Sequence, residues 1–544
     1  MVGVSQDKSK WVVGEVLAGH ARARGDAPFL CFPPAPPLTY AQVDARSNQL
    51  ANGLKGLHIA RAERVGVMLP NGLEYCLSWF ALSRLAAVHV SINTAYKGGF
   101  LIHVLNNAQA RIVILHADYL QWLANVEDEV PAVETAIVVG MEAGSPPAPL
   151  RRIKVLPFGE MFSEDATPPG ITVHHWEIGG IQYTSGTTGP SKGVLMPHAH
   201  LYLLGWGTVE NFALRPDDVY YISMPLFHAN AMLMQLYSTL IAGAQAVIVP
   251  HFSASGWLPD IRAHGATITN TLGVMTEFIF RQPPSADDGD HNLRVICAIP
   301  APKEIKDDFE ARFNTRLIEA YGMTEINIVT YHPMDTPYRL GSCGKSYDRY
   351  FEMAIVHPDT DEPLPDGEVG EIVARPREAN CFMQGYNAMP EKTVEAWRNF
   401  WFHTGDAGYR DADGYYYFVD RIKDRIRVRG ENISSYEVEM VVADYPGVEE
   451  VAAIAVSAGI AGGEDEIKVC VVPRQDASAI DPVALLDFCQ TRMPYFAVPR
   501  YVEIMPALPK TPTQKVRKAA LREEGITPAT WDRASINYQV RKKA

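Results

Sequence analysis

Cysteine is scarce in this sequence, and positive charge is not in excess. Seven cysteines among 544 residues are scattered, odd in number and form no CxxC pair. This pattern argues against a disulfide framework or a cysteine-based metal site and is typical of reduced, buried thiols. Lys and Arg total 49 against 63 Asp and Glu, a net charge of −14. That balance argues against a nucleic-acid-binding surface but is compatible with a local basic site for an anionic ligand.

Secretory and membrane-spanning signals are also lacking. The N-terminus carries Asp7, Lys8 and Lys10 and has no apolar stretch of the kind found in signal peptides. The stretch from Ala231 to Val249 has no charged residue, but polar residues interrupt it and a proline ends it. It is interpreted as a buried helix and strand. We therefore expect a cytoplasmic protein without a membrane span, and its length predicts two or more domains.

One stretch, Tyr183-Thr-Ser-Gly-Thr-Thr-Gly-Pro-Ser-Lys192-Gly193, combines glycines, hydroxyl side chains and a lysine directly after a predicted strand end. Glycines let backbone N–H groups form an anion-binding nest, while hydroxyls and an ammonium add further donors. A flexible connector is the alternative, but the combination predicts phosphate binding. The spacing is not that of a Walker A loop, so a nucleoside triphosphatase of that type is the weaker interpretation.

Apolar periodicity predicts alternating helices and strands through the first 340 residues. Examples are a helix at Tyr40 to Leu57, a strand at Val65 to Leu69, a helix at Leu77 to Ala87 and a strand at Val88 to Ile92. Such alternation predicts a layered α/β domain with much parallel pairing. Short β segments with turn residues follow residue 340, and a separate small α+β unit follows Asp420.

Three further segments carry polar side chains suited to a nucleotide. Tyr321-Gly-Met-Thr-Glu325 follows a predicted strand and offers an aromatic ring, a hydroxyl and a carboxylate, although an ordinary turn is an equally good interpretation. Asp406 and Arg421 could hold a ribose, with a solvated charged loop as the alternative. A basic segment ending at Lys515 would by itself be interpreted as solvated.

Together and in this order, the four segments resemble the adenylate-forming superfamily of acyl-CoA synthetases, amino-acid adenylation domains and beetle luciferases. The resemblance extends from Leu38-Thr-Tyr-Ala41 to Lys515 and thus covers nearly the whole chain. The segment Arg429 to Glu439 is most similar to bacterial ligases of the crotonobetaine/carnitine-CoA ligase type.

The resemblance implies an α/β protein with a large N-terminal domain of layered α/β sheets plus a β-rich subdomain, and a small mobile α+β C-terminal domain. The expected domains are 1–422, for ATP and the acyl group, and 423–544, with the catalytic lysine, and Lys423 is the hinge. The implied chemistry has two steps: a carboxylate attacks the α-phosphate of ATP, and a thiol then displaces AMP. ATP, Mg²⁺ and coenzyme A are the implied cofactor and co-substrates.

The resemblance also implies roles for individual residues. Lys515, Thr184, Glu325 and His228 are expected to be catalytic, with Lys515 bridging the carboxylate and α-phosphate oxygens. Glu325 and Thr187 are expected to bind Mg²⁺, Tyr321 to lie against adenine, and Asp406 and Arg421 to hold the ribose. The other expected nucleotide-binding residues are Ser185, Gly186, Thr188, Gly189, Lys192, Gly322, Met323 and Thr324. Gly430 and Glu431 are expected on the side from which the thiol approaches.

Departures from the family pattern bear on the flexibility of the loop before Lys515 and on the shape of the acyl pocket. Gln514 stands where many relatives have glycine, and Cys297-Ala-Ile-Pro300 where many have Gly-Gly-Ala-Pro. The segment around Phe227 and His228 has no acid to pair with an α-amine, which disfavours an amino-acid substrate. The candidate pocket residues are His228, Cys297, Ile299 and Ile326, and they favour a medium-sized, largely apolar carboxylic acid.

Several alternatives stay open at this point. A luciferase-like oxygenase and a ligase that loads a free acyl carrier protein would use the same adenylating motifs. A nucleotide-binding protein without chemistry is disfavoured, because all the expected charged residues are present. Only 29 residues follow Lys515, too few for a fused carrier domain, so coenzyme A is the expected acceptor. A homodimer is one option for the oligomeric state.

Overall fold

The structure is a computed structural model that describes residues 5, 7–141, 149–184, 190–421, 425–428, 431–457, 465–474, 480–510 and 516–541. Its α-helices are α1 (Val13–Arg24), α2 (Tyr40–Leu54), α3 (Leu73–Arg84), α4 (Gly99–Ala108), α5 (Leu120–Asn125), α6 (His198–Asn211), α7 (Ser238–Ala242), α8 (Ala254–Ala263), α9 (Gly273–Phe280), α10 (Lys306–Phe313), α11 (Pro390–Ala396), α12 (Ser435–Ala443), α13 (Pro482–Gln490) and α14 (Lys518–Glu524). A π-helix spans Asn230–Tyr237, and short 3-10 helices span Lys8–Trp11, Lys55–Leu57, Ala117–Tyr119, Glu127–Glu129, Phe158–Met161 and Arg533–Ile536.

The strands are β1 (Pro28–Cys31), β2 (Leu38–Thr39), β3 (Arg64–Met68), β4 (Val88–Ser91), β5 (Ile112–His116), β6 (Thr135–Val139), β7 (Lys154–Pro157), β8 (Ile178–Thr184), β9 (Lys192–Pro197), β10 (Val219–Ile222), β11 (Gln245–Ile248), β12 (Ile268–Leu272), β13 (Val295–Ile299), β14 (Arg316–Ile318), β15 (Ala320–Met323), β16 (Asn327–Tyr331), β17 (Gly344–Ser346), β18 (Phe351–Val356), β19 (Gly370–Pro376), β20 (Gly385–Tyr386), β21 (Trp397–Arg398), β22 (Trp401–Arg410), β23 (Tyr415–Arg421), β24 (Arg425–Val428), β25 (Glu431–Ser434), β26 (Val448–Ser457), β27 (Asp465–Pro473), β28 (Tyr501–Ile504) and β29 (Trp531–Asp532).

Two large sheets, mostly parallel, form the layered part of the N-terminal domain. The first has the order β20-β9-β8-β4-β3-β5-β6-β7, and the second has the order β14-β13-β12-β10-β11-β1-β2. Strands β3, β4 and β5 are almost entirely buried, and β3 and β5 are mostly apolar, as expected for parallel strands covered on both faces. Helices α2, α3 and α6 contribute to the large core that these layers share.

The third sheet is antiparallel, with the order β15-β16-β17-β23-β22-β19-β18 and β21 added beside β22. It is the β-rich subdomain that the turn-rich texture after residue 340 predicted. Its strand β15 carries Tyr321 to Met323 and its strand β22 carries Thr404 to Asp406, so two of the predicted nucleotide segments lie in this one sheet.

The C-terminal part forms a separate α+β domain. A two-stranded ribbon, β24–β25, precedes a four-stranded sheet of order β26-β27-β28-β29. Helices α12 and α13 pack on it through their own apolar cluster, which includes Val438, Val442, Val469 and Leu485. The predicted fold class, with a large N-terminal α/β domain and a separate C-terminal domain, is confirmed.

Most predicted elements are confirmed, with three corrections. The helix predicted at Leu77 to Ala87 begins earlier, at Leu73, because the Pro70-Asn-Gly72 turn ends there. The strand predicted before Tyr321 is confirmed as β14, but Tyr321 to Met323 themselves lie within a further strand, β15. Asp406 lies within β22 and not in a solvated loop. The uncharged stretch from Ala231 is a buried helical segment followed by β11. Within the described ranges, every helix is too short or too polar to cross a membrane.

Candidate active site

The glycine-rich loop is the connection between two antiparallel strands of the first sheet. Thr184 ends β8, Lys192 begins β9, and the two residues are paired directly. This pairing holds the ends of the loop together at the sheet edge. The predicted phosphate-binding residues Ser185, Gly186, Thr187, Thr188 and Gly189 lie outside the described residues. The described residues therefore define the stem of the loop, and its anion-binding role stays a prediction.

Glu325 lies opposite this stem, in the turn between β15 and β16, with only 2% of its surface exposed. Its Oε1 accepts hydrogen bonds from the Thr184 hydroxyl at 3.2 Å and from the Tyr386 hydroxyl at 3.0 Å. Because a buried carboxylate is costly without such donors, two hydroxyls from different parts of the chain stabilise it here. The predicted pair Thr184 and Glu325 is thus brought together by the fold.

Tyr386 was not found by sequence reasoning. It lies on β20, which pairs with β9 beside the loop stem, and it is 4% exposed. The ammonium of Lys192 lies 4.1 Å from the centre of its ring, within the range of a cation–π interaction. The tyrosine therefore contacts both the lysine of the predicted phosphate loop and the predicted metal-binding glutamate.

Tyr321 and Asp406 form a second polar pair, between the first and fifth strands of the third sheet. The Tyr321 hydroxyl donates to Asp406 Oδ2 at 2.8 Å, and both residues are buried. The fold thus connects the predicted adenine-side ring to the predicted ribose-side carboxylate. Glycine is required at position 322, because a Cβ there would lie 2.2 Å from the carbonyl oxygen of Asn327.

The backbone around Asp406 is held by neighbouring side chains. Gly405 has a φ of +70°, a conformation that favours glycine, and its N–H donates to Glu371 Oε1 at 2.9 Å. The Thr404 hydroxyl donates to the carbonyl of Ile372 at 2.6 Å and accepts from the Asp406 N–H at 3.1 Å. On the adjacent strand the backbone of Arg421 pairs with Asp406. Glu371 is a supporting residue that the sequence motifs did not reveal.

The C-terminal domain also contributes polar side chains to this region. Glu431, on β25, binds the His228 ring nitrogen Nε2 at 3.1 Å through Oε1 and accepts from the Asn93 amide at 3.3 Å through Oε2. Burial by itself would lower the pKa of His228, but the charge and hydrogen bond of Glu431 outweigh it and raise that pKa above its ordinary value. The fold thus brings together His228 and Glu431, which are 203 positions apart.

Glu437, on α12, makes a second contact between the domains. Its Oε1 accepts a hydrogen bond from the backbone N–H of Ser191, at the end of the glycine-rich loop, at 3.0 Å. His103 Nε2 bonds the Ser191 carbonyl at 2.7 Å. Burial raises the pKa of Glu437 to about 7, against the lowering effect of the Ser191 N–H. Sequence reasoning missed this residue, because an isolated glutamate on an amphipathic helix carries no signal of its partner.

The candidate acyl-pocket residues lie in the large N-terminal core. Cys297 and Ile326 are fully buried, while Ile299 packs against the same core with partial exposure. Burial raises the pKa of the Cys297 thiol above its ordinary range, which makes it unreactive as a thiolate. Lys423, Gly430 and Lys515 lie outside the described residues, and their hinge, thiol-side and catalytic roles stay predictions.

A metal could be held at Glu325 only together with phosphate oxygens. Within the described ranges, groups of three or more His, Cys, Asp and Glu that could hold a metal are absent. Mg²⁺ is commonly bound by one or two carboxylates plus the phosphates of a substrate. A single buried carboxylate next to a glycine-rich loop therefore fits a metal that arrives with its nucleotide.

Comparison with known proteins agrees with this geometry. A family profile described as AMP-binding enzyme matches residues 17–387, and one described as AMP-binding enzyme C-terminal domain matches residues 437–515. A crotonobetaine/carnitine–CoA ligase of Salmonella agona is 30% identical over 89% of this chain and 93% of the relative. The similarity predicted from the residues around Arg429 is thus confirmed.

Solved structures show the same relationship. An anthranilate CoA ligase in complex with anthranoyl-AMP is 25% identical, with a TM-score of 0.69 over 94% of this chain and 96% of that one. A fatty acyl CoA synthetase of Mycobacterium tuberculosis is 26% identical, with a TM-score of 0.66 over 95% and 99%. The predicted superfamily and the prediction of an enzyme of the acyl-CoA synthetase kind are confirmed, and the chain belongs to the family of AMP-binding, adenylate-forming enzymes.

Proposed function

We propose that this protein is an ATP-dependent acid–thiol ligase that activates a carboxylic acid as acyl-AMP and transfers the acyl group to coenzyme A. The observation that carries the proposal is the meeting of Thr184, Lys192 and Glu325 at the stem of a glycine-rich loop, beside the Tyr321–Asp406 pair. This combination supplies an ammonium and hydroxyls for phosphates and a separate carboxylate for a sugar.

In the first step, a substrate carboxylate oxygen attacks the α-phosphorus of ATP, and the bond to the pyrophosphate oxygen breaks. The acid has a pKa of about 4 and is already ionised at neutral pH, so no general base is needed. The barrier is the approach of one anion to another, which positive charge and oriented donors lower. Lys192 and the loop would hold the β- and γ-phosphates, while Lys515 would bridge the reacting oxygens.

Mg²⁺ bound to the ATP phosphates would supply further positive charge at this position. Glu325 is the described side chain that would hold it, with Thr187 as the second predicted ligand. The buried position of the Glu325 carboxylate favours this role, because a metal competes well for a carboxylate that water does not surround.

In the second step, a thiol loses its proton to solvent, its sulfur attacks the acyl carbon, the bond from that carbon to the AMP oxygen breaks, and AMP leaves. The contact of Glu431 with His228 supports an approach of the thiol from the C-terminal domain's side, since it brings β25 against the N-terminal domain. A coenzyme A acceptor is also favoured by the relatives, several of which are CoA ligases.

The acid is proposed to be medium-sized and largely apolar. The buried, uncharged side chains of Cys297 and Ile326 support this class, and the lack of an acid near His228 disfavours an α-amino acid. The named relatives act on chemically different acids, so these similarities do not narrow the class further.

The test is exchange of labelled pyrophosphate into ATP across a panel of carboxylic acids, followed by addition of coenzyme A. Acid-dependent exchange with thioester formation is expected. If exchange occurs but the acyl group is transferred only to a holo-acyl carrier protein, the acceptor is that protein and not coenzyme A. Oxygen uptake during turnover would instead indicate a luciferase-like oxygenase. Glu325→Gln should abolish exchange, whereas Glu352→Gln, which alters an ion pair with Arg375 on β18 and β19, should not. Tight ATP binding without exchange for any acid would contradict a ligase.

A further inference from the structure

The Tyr386 side chain contacts two charged groups of the candidate site. Its hydroxyl donates to Glu325 Oε1 at 3.0 Å, and its ring faces the Lys192 ammonium at 4.1 Å. One side chain thus uses its polar tip on a carboxylate and its aromatic face on a cation. The two charged groups belong to segments 133 positions apart in the sequence, β9 and the β15–β16 turn.

The backbone on both sides of Tyr386 is hydrogen-bonded to β9, which begins at the stem of the glycine-rich loop. The N–H of Gln384 donates to the carbonyl of Leu195 at 2.9 Å, and that of Asn387 donates to the carbonyl of Gly193 at 2.7 Å. The N–H of Tyr386 itself donates to the Thr393 hydroxyl at 2.9 Å. Two of these bonds attach the residues flanking Tyr386 to β9, and the third attaches Tyr386 to α11, so the position of Tyr386 relative to Lys192 is well determined.

Neither contact neutralises the charge of its partner. A tyrosine ring attracts an ammonium through its quadrupole and leaves the full positive charge available to a phosphate. A phenolic hydroxyl stabilises a buried carboxylate and leaves its negative charge available to a metal. A carboxylate or lysine in this position would instead cancel one of these charges. The residue type therefore suits a site at which both charges must be kept and oriented.

We propose that Tyr386 is a positioning residue that holds the phosphate-binding Lys192 and the metal-binding Glu325 as a pair oriented toward the metal–nucleotide complex. This inference rests on the proposed function, which assigns those roles to Lys192 and Glu325. It predicts that the hydroxyl and the ring have separable effects: the hydroxyl acts on metal affinity, and the ring acts on phosphate affinity.

Two variants separate these effects. Tyr386→Phe removes the hydroxyl and keeps the ring, and Tyr386→Leu removes both. Binding of a non-hydrolysable ATP analogue is measured by calorimetry without divalent metal, and Mn²⁺ binding to the enzyme–analogue complex is measured by electron paramagnetic resonance. For Tyr386→Phe we expect Mn²⁺ binding weakened about tenfold and metal-free analogue binding unchanged. For Tyr386→Leu we expect metal-free binding to weaken as well, by roughly threefold to tenfold.

The matched control is Tyr40→Phe. Tyr40 is also buried, and its hydroxyl donates to the carbonyl of Ala244 at 2.7 Å, in the core of the N-terminal domain. This variant should lower the melting temperature without changing either affinity. Equal loss of Mn²⁺ affinity in Tyr40→Phe and Tyr386→Phe would overturn the inference, because it would reflect general loosening of the fold.

The inference would also be overturned if both Tyr386 variants bound Mn²⁺ and the analogue like the wild type. A combination of Tyr386→Leu with Lys192→Met gives a further check: the losses in metal-free affinity should be less than additive, and strict additivity would show that the ring does not act through Lys192. Wild-type protein that binds no ATP analogue would instead contradict the proposed function itself.

Discussion

At the scale of single residues, Asp406 illustrates how the candidate site is assembled. Its carboxylate is 2% exposed and accepts the Tyr321 hydroxyl at 2.8 Å. A buried carboxylate that already has one hydroxyl donor is well suited to accept the hydroxyls of a ribose. The hydrogen bond from the tyrosine also orients the carboxylate, and this orientation would lower the entropic cost of binding a ribose.

Asp406→Asn keeps the shape of this side chain and removes its charge. We expect nucleotide affinity to fall roughly 10- to 100-fold, because hydrogen bonds to charged groups contribute more than neutral ones. Calorimetric titration with ATP checks this. Asp411→Asn is the control, since Asp411 caps the β22–β23 turn through the N–H groups of Asp413 and Tyr415. Equal affinities in both variants would contradict a ribose role for Asp406.

At the scale of elements, the antiparallel strands β19, β22 and β23 hold Asp406 in place. The Glu371 carboxylate accepts from the Gly405 N–H and bonds His403 Nδ1 at 2.9 Å. Gly405 has a left-handed backbone conformation just before Asp406, at the point where the pairing of β22 with β19 shifts register. We therefore expect this local backbone conformation to set the position of the Asp406 carboxylate.

Gly405→Ala tests this element. Nothing lies within 4 Å of the added Cβ, so the cost is the left-handed backbone alone, about 1–2 kcal/mol of stability. Gly414→Ala is a matched control, because Gly414 also has a positive φ (+83°) and open surroundings. It differs from Gly405 in lying in the turn that joins β22 to β23. Both variants should unfold at similarly reduced denaturant concentrations, and only Gly405→Ala should weaken ATP binding. A similar weakening by Gly414→Ala would refute the link between this backbone and the site.

At the scale of the whole molecule, the C-terminal domain contacts the edge of the first sheet beside the glycine-rich loop. Glu431 reaches Asn93 and His228, Glu437 reaches Ser191, and the Lys97 ammonium donates to the carbonyl of Gln490 at 2.6 Å. These contacts bring the ribbon β24–β25 and the start of α12 toward the site. They describe one arrangement of the two domains.

The Glu437 contact is expected to depend on pH. Its pKa is raised to about 7 from an ordinary 4.5, so the docked arrangement binds a proton more tightly than an undocked one. The resulting stabilisation is complete below about pH 4.5 and is lost as the pH rises through about 7. Between pH 6 and pH 8 the docking equilibrium should therefore weaken about tenfold.

Hydrogen exchange of the Ser191 amide, corrected for the intrinsic effect of pH, measures this equilibrium. Glu437→Gln, which resembles the protonated acid, should make protection independent of pH in this range. The titratable neighbours are Tyr96, whose pKa is raised further above 10 by burial, His103, whose pKa is lowered by burial, and Glu431. The same pH dependence in the wild type and in Glu437→Gln would show that another group is responsible.

A different arrangement of the domains is expected during adenylation, when Lys515 must reach the α-phosphate. Lys515→Ala should lower acyl-adenylate formation by roughly 10²–10³ or more, while preformed acyl-adenylate still yields thioester. The two half-reactions are measured by pyrophosphate exchange and by thioester release. Equal damage to both would contradict a rotating C-terminal domain.

By itself, the sequence determined the kind of protein and the list of charged groups. The local periodicity of apolar residues predicts layered α/β sheets, and the order of four short motifs identifies the superfamily. Both patterns can be recognised in the sequence because each is formed by a few neighbouring residues. The roles expected for Thr184, Glu325, Asp406 and Lys515 stay predictions from those motifs. Strand β22 was not predicted, because Asp406-Ala-Gly408 resemble turn residues in isolation.

Only the tertiary structure decided which of these groups meet and what holds them. Tyr386 and Glu325 are 61 positions apart, Thr184 and Glu325 are 141 apart, and Ser191 and Glu437 are 246 apart. Such contacts depend on how three sheets and a second domain pack together, and a local sequence pattern does not predict which distant residues will meet. Tyr386 and Glu437 do not stand out in the sequence, and their proposed roles follow from these partners. Burial strengthens a hydrogen bond to a charged group and makes its loss costly.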